Sequence, residues 1–487
     1  MLQSWMSRIL LAGFVVVAVW LLVISYWRIS MHMPSTTDVV MYLVLTPVIF
    51  LLSVVMLKKL GAGLIAMSGS ANAGIAPSAN VNPASEAESE NTGRGWTLSV
   101  VAGSAITRLG YTADELMNAL ADKQPNFELD AQLVDQHGYP LLAARVDDLH
   151  EAETYEQFEQ WLLAKGLPSA PWEQADKRAL AMVQVVYMDL VQTLLSFPQL
   201  SELLSDSEIN DPNLALPTIN VIAIFPKRWL DQQRQDVVGW LTTLIAQLGW
   251  PAEKFLIHPY SNLSNSDPLT LIDLVNVEVN QQSLSGLYVF LATQSFMGEQ
   301  AYAELQSERN AQGANGKVSF IPGEAAAGVV VADTLWAQKL GVEPLVRMHR
   351  IAQRKRDKSA DAAGKIKPDV LMHSITDALV NAQIIAEQIG AVSADTDARA
   401  SRIGELYEAL SEVVPDMDLH ARCFKMEAGC GAVGKVAGLL TLLAARQLVV
   451  ADKQPVMCVS NNDEYERIAW VVDTGQITPD SAGSAKH

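Results

Sequence analysis

An α/β fold is predicted for this chain on three observations. Short runs rich in Val, Ile, Leu and Ala recur at residues 217–225, 255–257, 287–292 and 322–332, most of them bounded by Gly, Pro or polar turn residues. Between the first three lie segments with apolar residues at helical spacing, 233–248 and 269–281. Strand, helix, strand, helix, strand is the rhythm of a mostly parallel sheet covered on both faces. Hydrophobic residues make up 49% of the chain and charged residues only 18%, the balance of a folded protein. A length of 487 residues accommodates a membrane segment plus one large domain or two ordinary ones.

Two apolar stretches open the chain, at 9–27 and 39–57. Each has about the ~20 residues a helix needs to cross a bilayer, so both are expected to span. A cleaved signal peptide is a poor fit to the first, because its apolar region is too long and no small-residue cleavage site precedes Trp27-Arg28. Trp5, Trp20, Tyr26 and Trp27 suit the membrane interface, and Pro47 is expected to kink the second span. Neither span contains an ionisable residue, which argues against a transport or proton pathway there. Arg8 precedes the first span and Lys58 and Lys59 follow the second, while the loop between them offers Arg28 against Asp38. That distribution places both ends in the cytoplasm. Residues 61–95 are dominated by Gly, Ala, Ser, Asn and Pro and read as a flexible tether with a reach of roughly 30 Å.

Beyond Trp96 the folded part begins with a strand at 98–102 and a helix around Asp114 to Leu120, with acidic residues in its first turn. Leu133-Val134, a turn at 135–140 and the apolar 141–146 complete a strand, helix, strand order. Helices are predicted around 155–164 and 179–195, and Asp267 or Ser266 would cap the 269–281 helix with Pro268 as its first residue. The run Pro322 to Ala332 organises the rest. Gly323 removes a Cβ where backbones must approach closely, and the alanines after it leave room for a neighbouring element.

The formal charge of −19 argues against nucleic acid as a partner. Cys423, Cys430 and Cys458 are an odd number without metal-site spacing and read as free thiols in a reducing compartment. His420 with Cys423 and Cys430 lacks a fourth metal ligand, so no metal is expected. Gly429, Gly431 and Gly434 have a GxGxxG spacing without the strand and acid that dinucleotide binding requires, so helix packing explains them and no cofactor is expected. His137 and His150 are expected to be solvated residues, and His373 a structural residue at a strand end. The basic run from Arg347 to Lys358 reads as a solvated helix face or loop, with contact to an anionic membrane surface as its one functional reading.

Several of these stretches carry a family resemblance. Ser319-Phe320-Ile321 leading into Pro322-Gly323-Glu324-Ala325-Ala326 resembles the Pro-Gly-Glu strand of β-ketoacyl synthases and their thiolase-fold relatives. Residues 369–377 resemble the opening strand of that fold's second half, 429–440 its late Gly-Ala-rich helix start, and 455–460 with 467–472 its closing hairpin. The resemblance implies a thiolase-like αβαβα five-layer domain, with an N-terminal half at 96–340 and a C-terminal half at 341–487 that ends in a disordered tail. Condensing enzymes of this family need a cysteine at the amino terminus of a buried helix, with histidines that stabilise the oxyanion. The matching helix here, from Pro268, has no cysteine in it or in the loop before it, and Ser264 and Ser266 in that loop read as cap or turn residues. The family's late Lys and His fall at Cys423 and Ala428, and its His-Gly-Thr-Gly pattern is absent. No catalytic residue is therefore carried over.

Residues 97–146 and 287–291 are also similar to the type VI secretion lipase-adaptor family. That similarity implies recruitment of a toxic lipase to the secretion spike. The expectation is a catalytically degenerate adaptor at a bacterial inner membrane with its folded domain in the cytoplasm, a protein partner such as a lipase effector or spike component, and a possible homodimer. The alternative is an acyl-transfer or condensing-type enzyme acting on acyl chains at the membrane through Ser264, Ser266 or Cys423.

Overall fold

Two successive segments of the chain build the same arrangement of strands. The structure, a computed structural model, describes residues 93–122, 127–135, 137–205, 216–261, 267–282, 285–311, 320–362 and 364–474. The chain divides into two units, Met1–Pro83 and Ala84–His487, and the described residues all belong to the second. The expected spans, nearly all of the tether, the C-terminal tail, and Ser264 and Ser266 lie outside the described residues.

The first half runs β1 (Thr97–Thr107), α1 (Ala113–Ala121), β2 (Glu128–Val134), β3 (Pro140–Ala143), α2 (Glu151–Lys165), α3 (Gln174–Ser196) and β4 (Ile219–Phe225). It continues through α4 (Asp231–Gln247), β5 (Phe255–Ser261), α5 (Pro268–Gln282), β6 (Leu287–Ser295), α6 (Glu299–Ala311) and β7 (Glu324–Ala332). The second half runs β8 (Arg347–His349), β9 (Ala352–Lys355), α7 (Asp369–Ala382), β10 (Ala391–Ala394), α8 (Ala400–Val413) and β11 (Cys423–Lys425). It closes with the short α9 (Met426–Cys430), α10 (Val436–Asp452), β12 (Val456–Ser460) and β13 (Glu466–Asp473).

In the first half the strand order is β5-β4-β6-β7-β1, and in the second it is β11-β10-β12-β13-β9. Each half has three parallel strands followed by two antiparallel ones. The short β8 pairs with both β1 and β13, so the halves join into one 11-stranded sheet. The expected mostly parallel sheet is thus mixed: β13 returns antiparallel beside β12 through a connection too short for a parallel crossover, and β7 pairs antiparallel with β6 although α6 lies between them.

Helix α3 packs on β1, β6 and β7, and α4 packs on β5 and α3. Helices α7 and α8 pack on each other, with α7 against β9 and β13. Helix α10 touches strands of both halves as well as α5, which makes it part of a central layer between them. Its residues Val436 to Ala445 are all buried, as expected of a helix that is apolar all round. Among the described residues one helix, Gln174–Ser196, is long and apolar enough to cross a membrane. In this fold it is a core helix, with Leu180, Val183, Tyr187 and Leu190 buried in the first-half core.

Three local expectations are corrected. Residues 369–377 form the start of helix α7, not a strand: Leu371, Ile375, Ala378, Leu379 and Ala382 are buried at helical spacing, and His373 lies on the exposed face. The basic run 347–358 contains β8 and β9 instead of a helix or solvated loop. Its arginines are paired, Arg347 with Asp473, Arg350 with Asp273, Arg354 with Asp377 and Arg356 with Glu405. The third element of the opening segment is a separate hairpin of β2 and β3, turned by Asp135, whose carboxylate accepts the His137 and Tyr139 N–H groups.

Gly323 meets the close approach expected of it. A Cβ there would lie 2.4 Å from the Cys430 carbonyl oxygen and 3.1 Å from that of Ala432. Its N–H donates to Ala432 O, and Pro322 O accepts from Ala144, so this turn stitches both halves together. The next residue, Glu324, is fully buried and accepts from Arg178 Nη2 at 2.6 Å, Ser295 Oγ at 2.7 Å and Val146 N at 2.8 Å.

Candidate functional site

A cleft of about 250 Å³ opens at the carboxyl ends of β4, β6, β10 and β12, where an α/β sheet ordinarily receives a ligand. Pro226, Lys227 and Arg228 follow β4, Gln294 and Phe296 flank the end of β6, Asp395 follows β10, and Ser460 ends β12. The amino termini of α5 and α10 meet there, through Asp267 and Leu269 on one and Gly434 and Lys435 on the other. Asp267 caps α5 by accepting the Leu269 N–H at 3.0 Å, as expected, and its other oxygen holds Lys435 Nζ at 3.0 Å. Burial acts to lower the Lys435 pKa, but Asp267, with Asp463 and Glu466 nearby, holds the ammonium above its ordinary range.

Two further carboxyl groups form the floor. Asp395 accepts from Ser460 Oγ at 2.5 Å and from the Asn461 N–H at 2.9 Å. Burial pushes its pKa up to about 6 against these bonds, and the charge of Asp267 adds to the rise. Glu427 accepts the Val433 and Gly434 N–H groups at 2.9 and 3.1 Å and the Asn462 side-chain amide at 2.6 Å. Asn462 also donates to Asp395 O, so one asparagine locks the loops after β10 and β12 to α9. At the rim Glu466 is raised by burial first and then by Asp463. Among the described residues, no histidine lines the cleft and no group of metal-ligating side chains is assembled.

No family model matches the sequence, and no curated protein matches it. Solved structures do match. The ishigamide ketosynthase/chain length factor superposes with a TM-score of 0.51 at 15% identity, covering 77% of this chain and 99% of that one. A β-ketoacyl synthase from Burkholderia phymatum superposes with a TM-score of 0.51 at 13% identity, again over 77% and 99%. A type II polyketide ketosynthase in complex with its acyl-carrier protein gives a TM-score of 0.51 at 10% identity, over 78% and 100%. The fold is the thiolase-like fold of ketosynthases. At these identities the likeness is one of fold alone.

In this ketosynthase-like fold the residues singled out from the sequence do not converge. Cys423 sits on β11 and is buried, with its thiol raised to about 11 by burial. Cys430 ends α9 with its thiol pushed up to about 12 by burial, and burial raises Cys458 well above the ordinary range. Ala428 lies within α9, where its N–H donates to Thr396 O. His137 stands in the β2–β3 turn, and His150 precedes α2. The Gly429 and Gly431 positions are packing sites, where a Cβ would meet Leu120 at 2.6 Å and Ala144 at 2.9 Å.

Sequence reasoning offered Asp267 or Ser266 as the cap and missed Asp395, Glu427, Lys435, Ser460 and Arg228. A usable signal was present in the polar residues placed directly after apolar strand runs, Asp395 after 391–394 and Ser460-Asn461-Asn462 after 456–459. Chemically, the cleft offers a carboxyl whose pKa burial raises to about 6, an adjacent hydroxyl and an ammonium. It does not offer a thiolate.

Proposed function

We propose that this chain is a membrane-anchored protein with a ketosynthase-like scaffold whose work is binding, as an adaptor that presents a secreted lipase effector of the type VI system. The observation that carries the binding role is the occupant of the α5 amino terminus. A condensing enzyme needs a thiolate there, stabilised by the helix dipole. Here Asp267 caps the helix, and Lys435 pairs with that carboxylate. The three cysteines are buried with raised pKa values, so none supplies a nucleophile elsewhere. Anchoring is supported by the apolar runs 9–27 and 39–57, and the lipase partner by the sequence similarity of 97–146 to the adaptor family.

The test is affinity purification of tagged full-length protein from gently solubilised membranes, with mass spectrometry of what is retained and a tag-only membrane control. Retention of a lipase effector or spike components supports the adaptor. Retention of acyl-carrier protein or lipid-synthesis enzymes instead overturns it.

One observation favours a second reading, acyl transfer. Asp395, with a pKa of about 6, is hydrogen-bonded to Ser460 Oγ at the cleft floor, an arrangement in which a carboxylate can take a proton from an attacking hydroxyl. That role would fall to Ser460 and not to Cys423. Turnover of an acyl thioester that survives Ser460→Ala would remove it.

A further inference from the structure

The ribbon of β2 and β3 is apolar on both of its faces. On the inner face Leu133, Ala143 and the partly buried Leu141 pack against Met297 and Tyr302. An antiparallel ribbon covered on one side ordinarily turns polar residues outward. Here Leu129 and Leu142 form a cross-strand pair and are 64% and 47% exposed, and Val134 opposite Pro140 is exposed as well. A register shift between Leu129 and Val134 leaves both outward, while Asp130 and Leu133 between them are buried. Tyr139, in the turn, is 69% exposed.

A two-stranded ribbon is marginal by itself, but this one is fixed at several points. The Asp135 carboxylate accepts two N–H groups of the turn, Arg145 pairs with Asp130, and the Ala144 N–H donates to Pro322 O. The outward side chains therefore sit on a positioned surface. A pocket of about 180 Å³ lined by Phe127, Phe320 and Ile321 opens at its foot and has room for an apolar side chain.

A contiguous exposed apolar patch marks an interaction site, and the charges around this one decide what fits it. Between Phe127 and Ala144 the chain has no lysine or arginine, and it carries Glu128, Asp130 and Asp135. Asp130 is paired with Arg145, and Arg108 lies over the Phe127 ring at the foot, so Glu128 and Asp135 set the sign along the ribbon. A second copy of a chain with a formal charge of −19 brings like charges together there, and an anionic lipid surface is repelled in the same way. We propose that the outer face of the β2–β3 ribbon docks a protein partner through an apolar segment flanked by lysine or arginine. This surface rests on the adaptor reading, in which the lipase effector or a spike component supplies that segment.

The test places the photo-crosslinker p-benzoylphenylalanine in the position of Tyr139 in full-length, membrane-bound protein. The control carries it in the position of Leu335, an exposed apolar residue beyond the far end of β7. A cross-link from position 139, absent from position 335, is expected to a lipase-effector or spike peptide whose apolar residues are flanked by lysine or arginine, as read by mass spectrometry. Leu129→Ser combined with Leu142→Ser changes only exposed positions and is expected to leave the unfolding midpoint unchanged while lowering retention of that partner by about tenfold or more. Glu128→Lys is expected to lower it by about two- to fivefold. A partner retained equally by wild type and the double serine variant overturns the docking surface and leaves the adaptor reading standing, whereas retention of no partner overturns both. Cross-linking from position 139 to a second copy of the chain or to lipid also overturns the proposal, as does equal cross-linking from position 335.

Discussion

Lys435 Nζ lies 3.0 Å from Asp267 Oδ2, and this contact ties the amino terminus of α5 in the first half to that of α10 in the second. A carboxylate at a helix amino terminus is favoured by the helix dipole and by the unpaired N–H groups there. In the adaptor reading proposed above, the same pair occupies the position where a condensing enzyme exposes its nucleophile. In this respect fold and activity need separate warrants.

Replacement of Asp267 separates its two roles. Asp267→Ala removes both the cap and the partner of Lys435 and is expected to destabilise the chain by about 2 kcal/mol. Asp267→Asn retains a capping oxygen and is expected to cost about half of that, the remainder being the half-buried ion pair. Chemical unfolding of full-length protein in detergent measures both. Equal losses in the two variants would show that capping contributes nothing.

Glu324 and Arg178 should be the more sensitive pair. Glu324 is fully buried and joins β7 to α3, β6 and the segment before α2 through five hydrogen bonds, three of them from Arg178. Glu324→Ala leaves a buried guanidinium without its main acceptor and is expected to cost about 3–5 kcal/mol. Glu324→Ala combined with Arg178→Met should recover part of that loss, because the uncompensated charge leaves with its partner. A double variant no better than Glu324→Ala alone in the same unfolding measurement would contradict this account.

Much of this architecture was legible in the sequence for local reasons. Strands β4 and β6 are continuous apolar runs bounded by turns, and the Pro268 start of α5 with Asp267 or Ser266 before it as cap follows from residue chemistry alone, the bond to the Leu269 N–H then being made by Asp267. Residues 369–377 misled because Val370, Leu371 and Met372 form a short apolar run that fits either structure, and only the buried positions further on, Ala378, Leu379 and Ala382, fix the helical period. The basic run misled because Arg347, Arg350 and Arg356 find their carboxylates 126, 77 and 49 residues away, and no local pattern encodes such partners. The cleft was hidden for the same reason. Asp267, Asp395, Glu427 and Ser460 come from four separate strand or helix ends that only the sheet order brings together.

The thiols provide a direct check on the absence of a cysteine nucleophile. Burial raises Cys423 to about 11 and Cys430 to about 12, and Cys458 stands well above its ordinary value. At pH 8 the thiolate fraction of the first two is therefore on the order of one part in a thousand or less. Iodoacetamide at pH 8 is expected to leave all three unmodified in native protein and to label all three in denaturant, as read by peptide mass spectrometry. Rapid labelling of any one of them in the native chain would place a reactive thiolate in the fold.

Asp395 sets a pH dependence with a defined sign. Its pKa rises from 3.8 in the unfolded chain to about 6 in the fold, because burial penalises the carboxylate more than Ser460 and Asn461 stabilise it. Between those two values the native state binds more protons than the unfolded state, so stability falls as pH rises through this window. The contribution amounts to about 3 kcal/mol and is complete by about pH 7. Asp395→Asn keeps the size and one acceptor for the Asn461 N–H but cannot ionise. Its stability relative to wild type is therefore expected to rise steadily from pH 4 to pH 7 and to level off above. Unfolding curves of both proteins at half-unit intervals provide the comparison. A difference that stays constant across the range would mean that the fold does not raise the Asp395 pKa, and the acyl-transfer reading would lose the strengthened basicity of the carboxylate beside Ser460.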